Sequence, residues 1–200
     1  MAKALHVCLI GYFSQLEKLD VKWRDLLSVI DKPVNSLINY SEQLQLVTSK
    51  EVDNAEICSV DGLREKLIFK INMGIEDEIA LVLDVVSQLN NANQSLKNKL
   101  DTLESARDKV SLDDPSLQYL LDGSPLRPRL NLLLEFAIDG YKFYDQLYRN
   151  ISTCMKTLDC KYPRSLENLS KSLIQNNQRR TTIDRILAFT QYLEQESIPN

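Results

Sequence analysis

Residues 5–30 read LHVCLIGYFSQLEKLDVKWRDLLSVI. Within them Leu5, Leu9, Tyr12, Leu16, Leu19, Trp23, Leu26 and Ile30 fall at alternating steps of four and three, and all eight are apolar or aromatic. A period of 3.5 marks a helix that buries one stripe, as in a coiled coil. Pro33 follows, and proline inside a helix removes a backbone donor and clashes with the preceding turn. The first helix is therefore expected to end or kink near Ile30–Lys32. That places helices over 3–30 and 33–49, together an N-terminal kinked helix over 3–49, with the stripe restarting as Leu37, Tyr40, Leu44 and Val47.

The same rhythm continues further along the chain. Residues 49–60 are polar and lack a period, which predicts a loop. A long helix over 61–110 carries Ile75, Ile79, Val82, Val86, Leu89, Asn93, Leu96, Leu100, Leu103, Arg107 and Val110, nine of them apolar. Gly74 stands where the earlier rhythm of Leu63, Leu67 and Ile71 goes out of phase, so a kink or register shift is expected there. A helix of about 50 residues would be about 75 Å long, which points to an extended bundle. In the connector 111–125, Asp114-Pro115 can start a short helix through Leu121 that Gly123 stops.

A helix over 126–158 follows, with Leu126, Leu130, Leu133, Ala137, Gly140, Tyr144, Leu147, Ile151, Cys154 and Leu158 in the four-three pattern. Pro163 breaks it. Two shorter helices over 164–175 and 181–195 complete the pattern, the second capped by Thr181 or Thr182. The expected architecture is all-α: one domain over 1–200, an elongated antiparallel helical bundle with coiled-coil-like heptad seams.

Composition agrees. Gly 5 and Pro 6 in 200 residues are under half the usual share of about 12%, too few for a turn-rich β fold. A net charge of −4 is divided so that no quarter of the chain is strongly basic, which argues against direct nucleic-acid binding. Cys8, Cys58, Cys154 and Cys160 form no CxxC pair, and a zinc site would need closer pairing with histidines. A reduced intracellular protein is the simplest reading. The apolar run Val7–Phe13 is not expected to be a signal peptide, because its periodicity passes into charged sequence at Leu16 and Leu19. Asn-X-Ser matches at Asn39, Asn93, Asn150 and Asn168 are then chance. No run of about 18 apolar residues suggests a membrane span.

Bond chemistry finds few candidates. The glycines are scattered singly, with no phosphate-cradling loop. The one histidine, His6, has no partner constellation and reads as an ordinary surface or partly buried residue. Glu76-Asp77-Glu78 with Asp84 is the densest acidic cluster, but adjacent helical residues point in different directions. It reads as a solvated face, with a basic partner as the alternative. Asn93 and Arg107 are polar residues at stripe positions, which fix register, mark where a stripe meets water, or reach a partner. Tyr141, Tyr144 and Tyr148 fall at i, i+3 and i+7, a spacing that serves a core or a wet interface. Arg127 and Arg129 flank Pro128 at a helix start, where cations oppose the macrodipole. No catalytic, cofactor or metal residue is assigned. The candidate partner-binding residues are Leu96, Leu100, Leu103, Arg107, Tyr141, Tyr144 and Tyr148.

Trp23–Gln45, WRDLLSVIDKPVNSLINYSEQLQ, resembles the AIRIM-type ribosome maturation factors in its Trp23, Pro33, Ser36-Leu37 and Glu42–Gln45. The resemblance extends through Asp61–Leu67 and the long helix, and resumes in Tyr141–Ile151 and Asp184–Glu194. It implies a noncatalytic adaptor without a cofactor. Such a subunit joins AAA ATPase subunits and a second small helical protein, and meets precursors of the large ribosomal subunit indirectly, in nucleus and cytoplasm. The ATP hydrolysis belongs to the partners. One departure is that Asp139 and Asp145 stand beside Lys142 and Arg149, where the family helix is more basic. The heptads alone also suit a subunit of a tethering, kinetochore or cytoskeletal complex.

Overall fold

The computed structural model describes residues 2–52, 60–111, 113–174 and 177–195, with the side chains of residues 52 and 177–179 outside the description. Cys58 and most of the loop expected over 49–60 lie outside the described residues. Among the described residues the protein is all-α. The helices are α1 (Ala2–Thr48), α2 (Leu63–Asp108), α3 (Gln118–Asp122), α4 (Leu130–Lys156), α5 (Pro163–Leu173) and α6 (Asn177–Thr190), with 3-10 turns at Lys50–Val52, Pro115–Leu117 and Leu193–Gln195.

The chain divides into two compact units. One is drawn from Met1–Trp23, Asn90–Tyr148 and Gln175–Asn200, the other from Arg24–Leu89 and Arg149–Ile174. The first unit buries Leu5, Leu9, Tyr12, Leu16, Leu19 and Trp23 of α1 together with Leu96, Leu103, Leu133, Ala137, Tyr144 and Ile183. The second buries Ile30, Val34 and Leu37 of α1, Ile71, Val82 and Leu89 of α2, and Leu166 and Leu169 of α5.

Helix α1 does not end before Pro33, which lies inside it. The buried positions explain this. Ile30, Val34, Leu37, Ser41 and Leu44 are all buried, so the four-three rhythm crosses the proline without a break. Pro33 is itself buried, and the packing of this stripe outweighs a helix-interior proline costing about 3 kcal/mol. Ser41, not Tyr40, occupies the buried position. Tyr40 instead lies over α2, where a Cβ on Gly74 would come within 2.6 Å of the Tyr40 ring. Gly74 thus provides the space for that ring, and α2 runs unbroken from Leu63 to Asp108. Arg64 secures the end of α1 by donating from Nε to the Val47 carbonyl at 2.7 Å and from Nη2 to the Ser49 carbonyl at 3.0 Å, a basic side chain satisfying terminal carbonyls.

Asp114 starts the Pro115–Leu117 turn by accepting from the Ser116 N–H at 2.9 Å, and hydrogen bonding from the Ser116 side chain first, and its backbone second, holds the Asp114 carboxyl below the usual range. Gly123, at φ +75°, stops α3. Helix α4 begins at Leu130 rather than Leu126. Residues 124–127 close a turn in which Ser124 N–H donates to the Arg127 carbonyl at 2.8 Å and Arg127 N–H to the Ser124 carbonyl at 3.2 Å. Pro163 opens α5 at its first turn, where a missing donor costs nothing. Helix α6 begins at Asn177, so Thr181 and Thr182 lie inside it rather than at its cap.

Replacing Pro33 by Ala should stabilise the protein. The gain of about 3 kcal/mol in helix propensity exceeds the loss of two buried methylenes at about 0.8 kcal/mol each, leaving about 1 kcal/mol. Urea unfolding of Pro33→Ala beside the parent measures it.

Candidate partner-binding surface

In the first unit a buried polar chain sets the helix positions. Asp20 of α1 is buried, and a buried carboxylate must be matched by donors. Tyr144 Oη donates to Asp20 Oδ1 at 2.5 Å. The Arg180 guanidinium donates to both carboxylate oxygens, Nη2 reaching Oδ2 at 3.0 Å. Arg180 Nε also donates to Asp184 Oδ1 at 2.8 Å. On the other side of Tyr144, Asn93 Nδ2 donates to the Tyr144 carbonyl at 3.0 Å while Trp23 Nε1 donates to Asn93 Oδ1 at 2.9 Å. Trp23 and Tyr144 pack at a ring separation of 5.5 Å. Asn93, polar at a stripe position, thus ties α1 to α4.

Burial first, and the hydrogen bond to Asp20 second, raises the Tyr144 hydroxyl well above its ordinary value. The Asp20 carboxylate, followed by Asp184, raises the Arg180 guanidinium, although burial opposes the shift. Tyr12 is likewise raised by burial, and its Oη donates to the Ala137 carbonyl at 2.5 Å. One turn on, a Cβ on Gly140 would stand 3.0 Å from Leu16 Cδ2, so the missing side chain allows the two helices to approach closely.

This packing claims part of the expected partner surface. Leu96, Leu100, Leu103 and Tyr144 are buried within the chain's own fold. Tyr141 and Tyr148 are half-buried, and Arg107 is exposed, with Nη1 3.2 Å from Asp108 Oδ1. Leu100, Leu103 and Arg107 do come together. With Glu104 of α2 and Leu134 and Ile138 of α4 they line a groove of about 350 Å³. Tyr141 and Tyr148 are not part of its lining.

A second groove, of about 570 Å³, was not apparent from periodicity. It lies between the turn at residues 122–129 and the end of α6, and exposes Leu126, Phe189 and Tyr192. Phe189 packs against Phe136 at 6.0 Å, with the Arg185 guanidinium 5.7 Å from its ring. Arg127, which precedes the helix rather than opening it, is buried. Its guanidinium lies 5.2 Å from the centre of the Tyr119 ring and donates to the Tyr119 carbonyl. Arg129 lines the groove. The available signal was the apolar pair Phe189 and Tyr192 standing off the buried Ile183–Ile186 stripe.

His6 is fully buried rather than at the surface, its Nδ1 3.3 Å from Tyr119 Oη. Cys8, Cys154 and Cys160 are free thiols, and burial, then Asp159, pushes the Cys160 thiol up. Among the described residues, no group of three or more His, Cys, Asp or Glu could hold a metal ion. No helix of the described residues is long and apolar enough to cross a membrane.

The sequence of this all-α chain matches a family of ribosome biogenesis proteins. Over residues 3–192 it matches the C1orf109-like ribosome biogenesis proteins, and it belongs to that family. One relative is the AFG2-interacting ribosome maturation factor of Xenopus tropicalis, 26% identical over 149 residues, covering 68% of this chain and 66% of the relative. The match therefore spans just under two thirds of that relative's length. The resemblance noted at Trp23–Gln45 is to this same type of factor.

Two outcomes test the buried chain. Arg180→Met removes the Arg180 cation from the buried Asp20 carboxylate and should cost about 3 kcal/mol in urea unfolding. Separately, Tyr12 and Tyr144 stay protonated in the folded chain but ionise near 10 once unfolded. Their stabilising contribution is complete below pH 10 and is lost as the pH rises above it, by up to about 1.4 kcal/mol per pH unit for each hydroxyl. Tyr144→Phe should flatten that alkaline slope, read from melting temperatures between pH 9 and 11.5.

Proposed function

We propose that this protein is a noncatalytic adaptor that joins an AAA ATPase of the AFG2 type and acts in the maturation of large ribosomal subunit precursors. The observation that carries the reading is the family match over residues 3–192, together with a relative named for its interaction with AFG2. The apolar grooves at Leu134–Ile138 and at Leu126–Phe189 support it, because an adaptor needs exposed apolar surface rimmed by polar groups. Of the candidate residues, Arg107, Tyr141 and Tyr148 retain accessible surface for a partner.

In this reading ATP hydrolysis belongs to the partner, and a second small helical protein completes the assembly. The ribosomal precursor is met through those partners rather than through direct nucleic-acid contact, which the net charge of −4 disfavours. The complex works in nucleus and cytoplasm, away from membranes. In this reading the chain acts as one domain, an antiparallel helical bundle built on its heptad stripes.

Native-tag capture from cells, repeated in high salt and read by mass spectrometry, should recover an AAA ATPase and a helical subunit. Depletion should lower free large subunits in polysome profiles before any transport or segregation defect. Recovery of tethering, kinetochore or cytoskeletal proteins in place of the ATPase would overturn the adaptor reading.

A further inference from the structure

Helix α2 is apolar on two opposite faces in the second unit. One face, with Ile71, Ile75, Val82 and Leu89, is buried. On the other, Phe69, Met73, Glu76, Ala80 and Leu83 follow the same four-three spacing and are all exposed. At 3.6 residues per turn these five lie within an arc of about 80°, centred opposite the buried face. Phe69 is 64%, Met73 49% and Leu83 51% exposed. A solvated helix face carries polar residues at such positions. A heptad-spaced row with phenylalanine, methionine and leucine is instead the half of a helix–helix contact that lacks its other half.

The charge beside the row identifies what would complete it. Glu76 sits within the stripe, and Asp77 and Asp84 run along one flank, all three exposed. Gln88 Nε2 donates to Asp84 Oδ2 at 2.8 Å, which leaves its charge uncompensated. Lys66 and Lys70 precede this stretch, and from Ile71 to Leu96 the chain has no lysine or arginine. A second copy centred on this row would set Glu76 against its own equal in either direction, and in a parallel pair Asp77 and Asp84 as well, and like charges across a helix pair repel.

Resting on the adaptor reading, we infer that the Phe69–Leu83 face of α2 is the docking surface for a partner's amphipathic helix whose apolar heptad stripe is flanked by lysine or arginine. Apolar interdigitation supplies the contact, and the carboxylates select a basic partner and its register. The grooves of the first unit remain available to another subunit.

The probe is a synthetic helical peptide of three heptads, leucine at its two stripe positions and lysine at the flanking ones, with a twin carrying glutamate there. It is titrated against the full-length protein by fluorescence anisotropy. The lysine peptide should bind at least tenfold more tightly than the glutamate twin. The triple variant Phe69→Ser, Met73→Ser, Leu83→Ser should lose at least tenfold in affinity, and Glu76→Lys, Asp77→Lys, Asp84→Lys should invert the preference. Unchanged circular dichroism would show that both variants fold. Equal binding of the twins, or undiminished binding by the serine variant, overturns the inference. In cells, a serine variant that keeps the ATPase but loses the helical subunit supports it, and one that keeps every partner of the parent overturns it while the adaptor reading stands. If the parent itself recovers no ATPase, the adaptor reading fails and the peptide titration decides the α2 face by itself.

Discussion

A carboxylate out of water has to be answered by donors, and Asp20 is answered from two other helices. Arg180 on α6 takes both oxygens and Tyr144 on α4 takes one. Apolar stripes alone tolerate sliding by a turn, because leucine against leucine is nearly degenerate along a helix. Directed hydrogen bonds are not degenerate, and an unmet buried charge makes the wrong register costly. Asn93 extends the constraint to α2, since it holds the Tyr144 backbone on one side and the Trp23 indole on the other. Within this unit, four helices are placed by one connected set of polar side chains inside an apolar core.

With the interior so arranged, function depends on what is left outside. The groove at Arg107 and Ile138, the groove at Leu126 and Phe189, and the outer face of α2 all present apolar side chains to water. None resembles an enclosed cavity built around a small substrate. Apolar surface rimmed with charge suits contact with other proteins, in keeping with a family defined by ribosome biogenesis. Of the two apolar faces of α2, one is covered by the chain's own fold and the other is exposed.

Much of the fold was legible from spacing. The row from Leu5 to Ile30 is buried throughout, Asp114 and Gly123 bound the short helix as turn chemistry requires, and the all-α class follows. Of the two outcomes Pro33 offers, the helix does not end there, because the packing of the continuous stripe outweighs one missing backbone donor. The buried row passes through Val34, Leu37 and Ser41, and Tyr40 beside Ser41 carries an apolar signal that masks that continuity in the sequence. Leu126 fits the rhythm of α4 but precedes it by four residues, because Pro125, Pro128 and the 124–127 turn exclude helix there. The candidate surface was legible only as a region. Heptad spacing cannot distinguish a leucine covered by its own chain, such as Leu96 or Leu103, from one left exposed, such as Leu83.

By itself, the sequence determined that this chain is helical, which face of each long helix is apolar, and where the strongest turns fall. Those properties follow from periodicity and backbone chemistry within a few residues of each position. Only the tertiary structure decided which apolar faces are covered, that Asp20 meets Arg180 across 160 positions, and that Gly74 makes room for Tyr40. Such pairings depend on side chains distant in sequence arriving at the same place, and no local period encodes that distance.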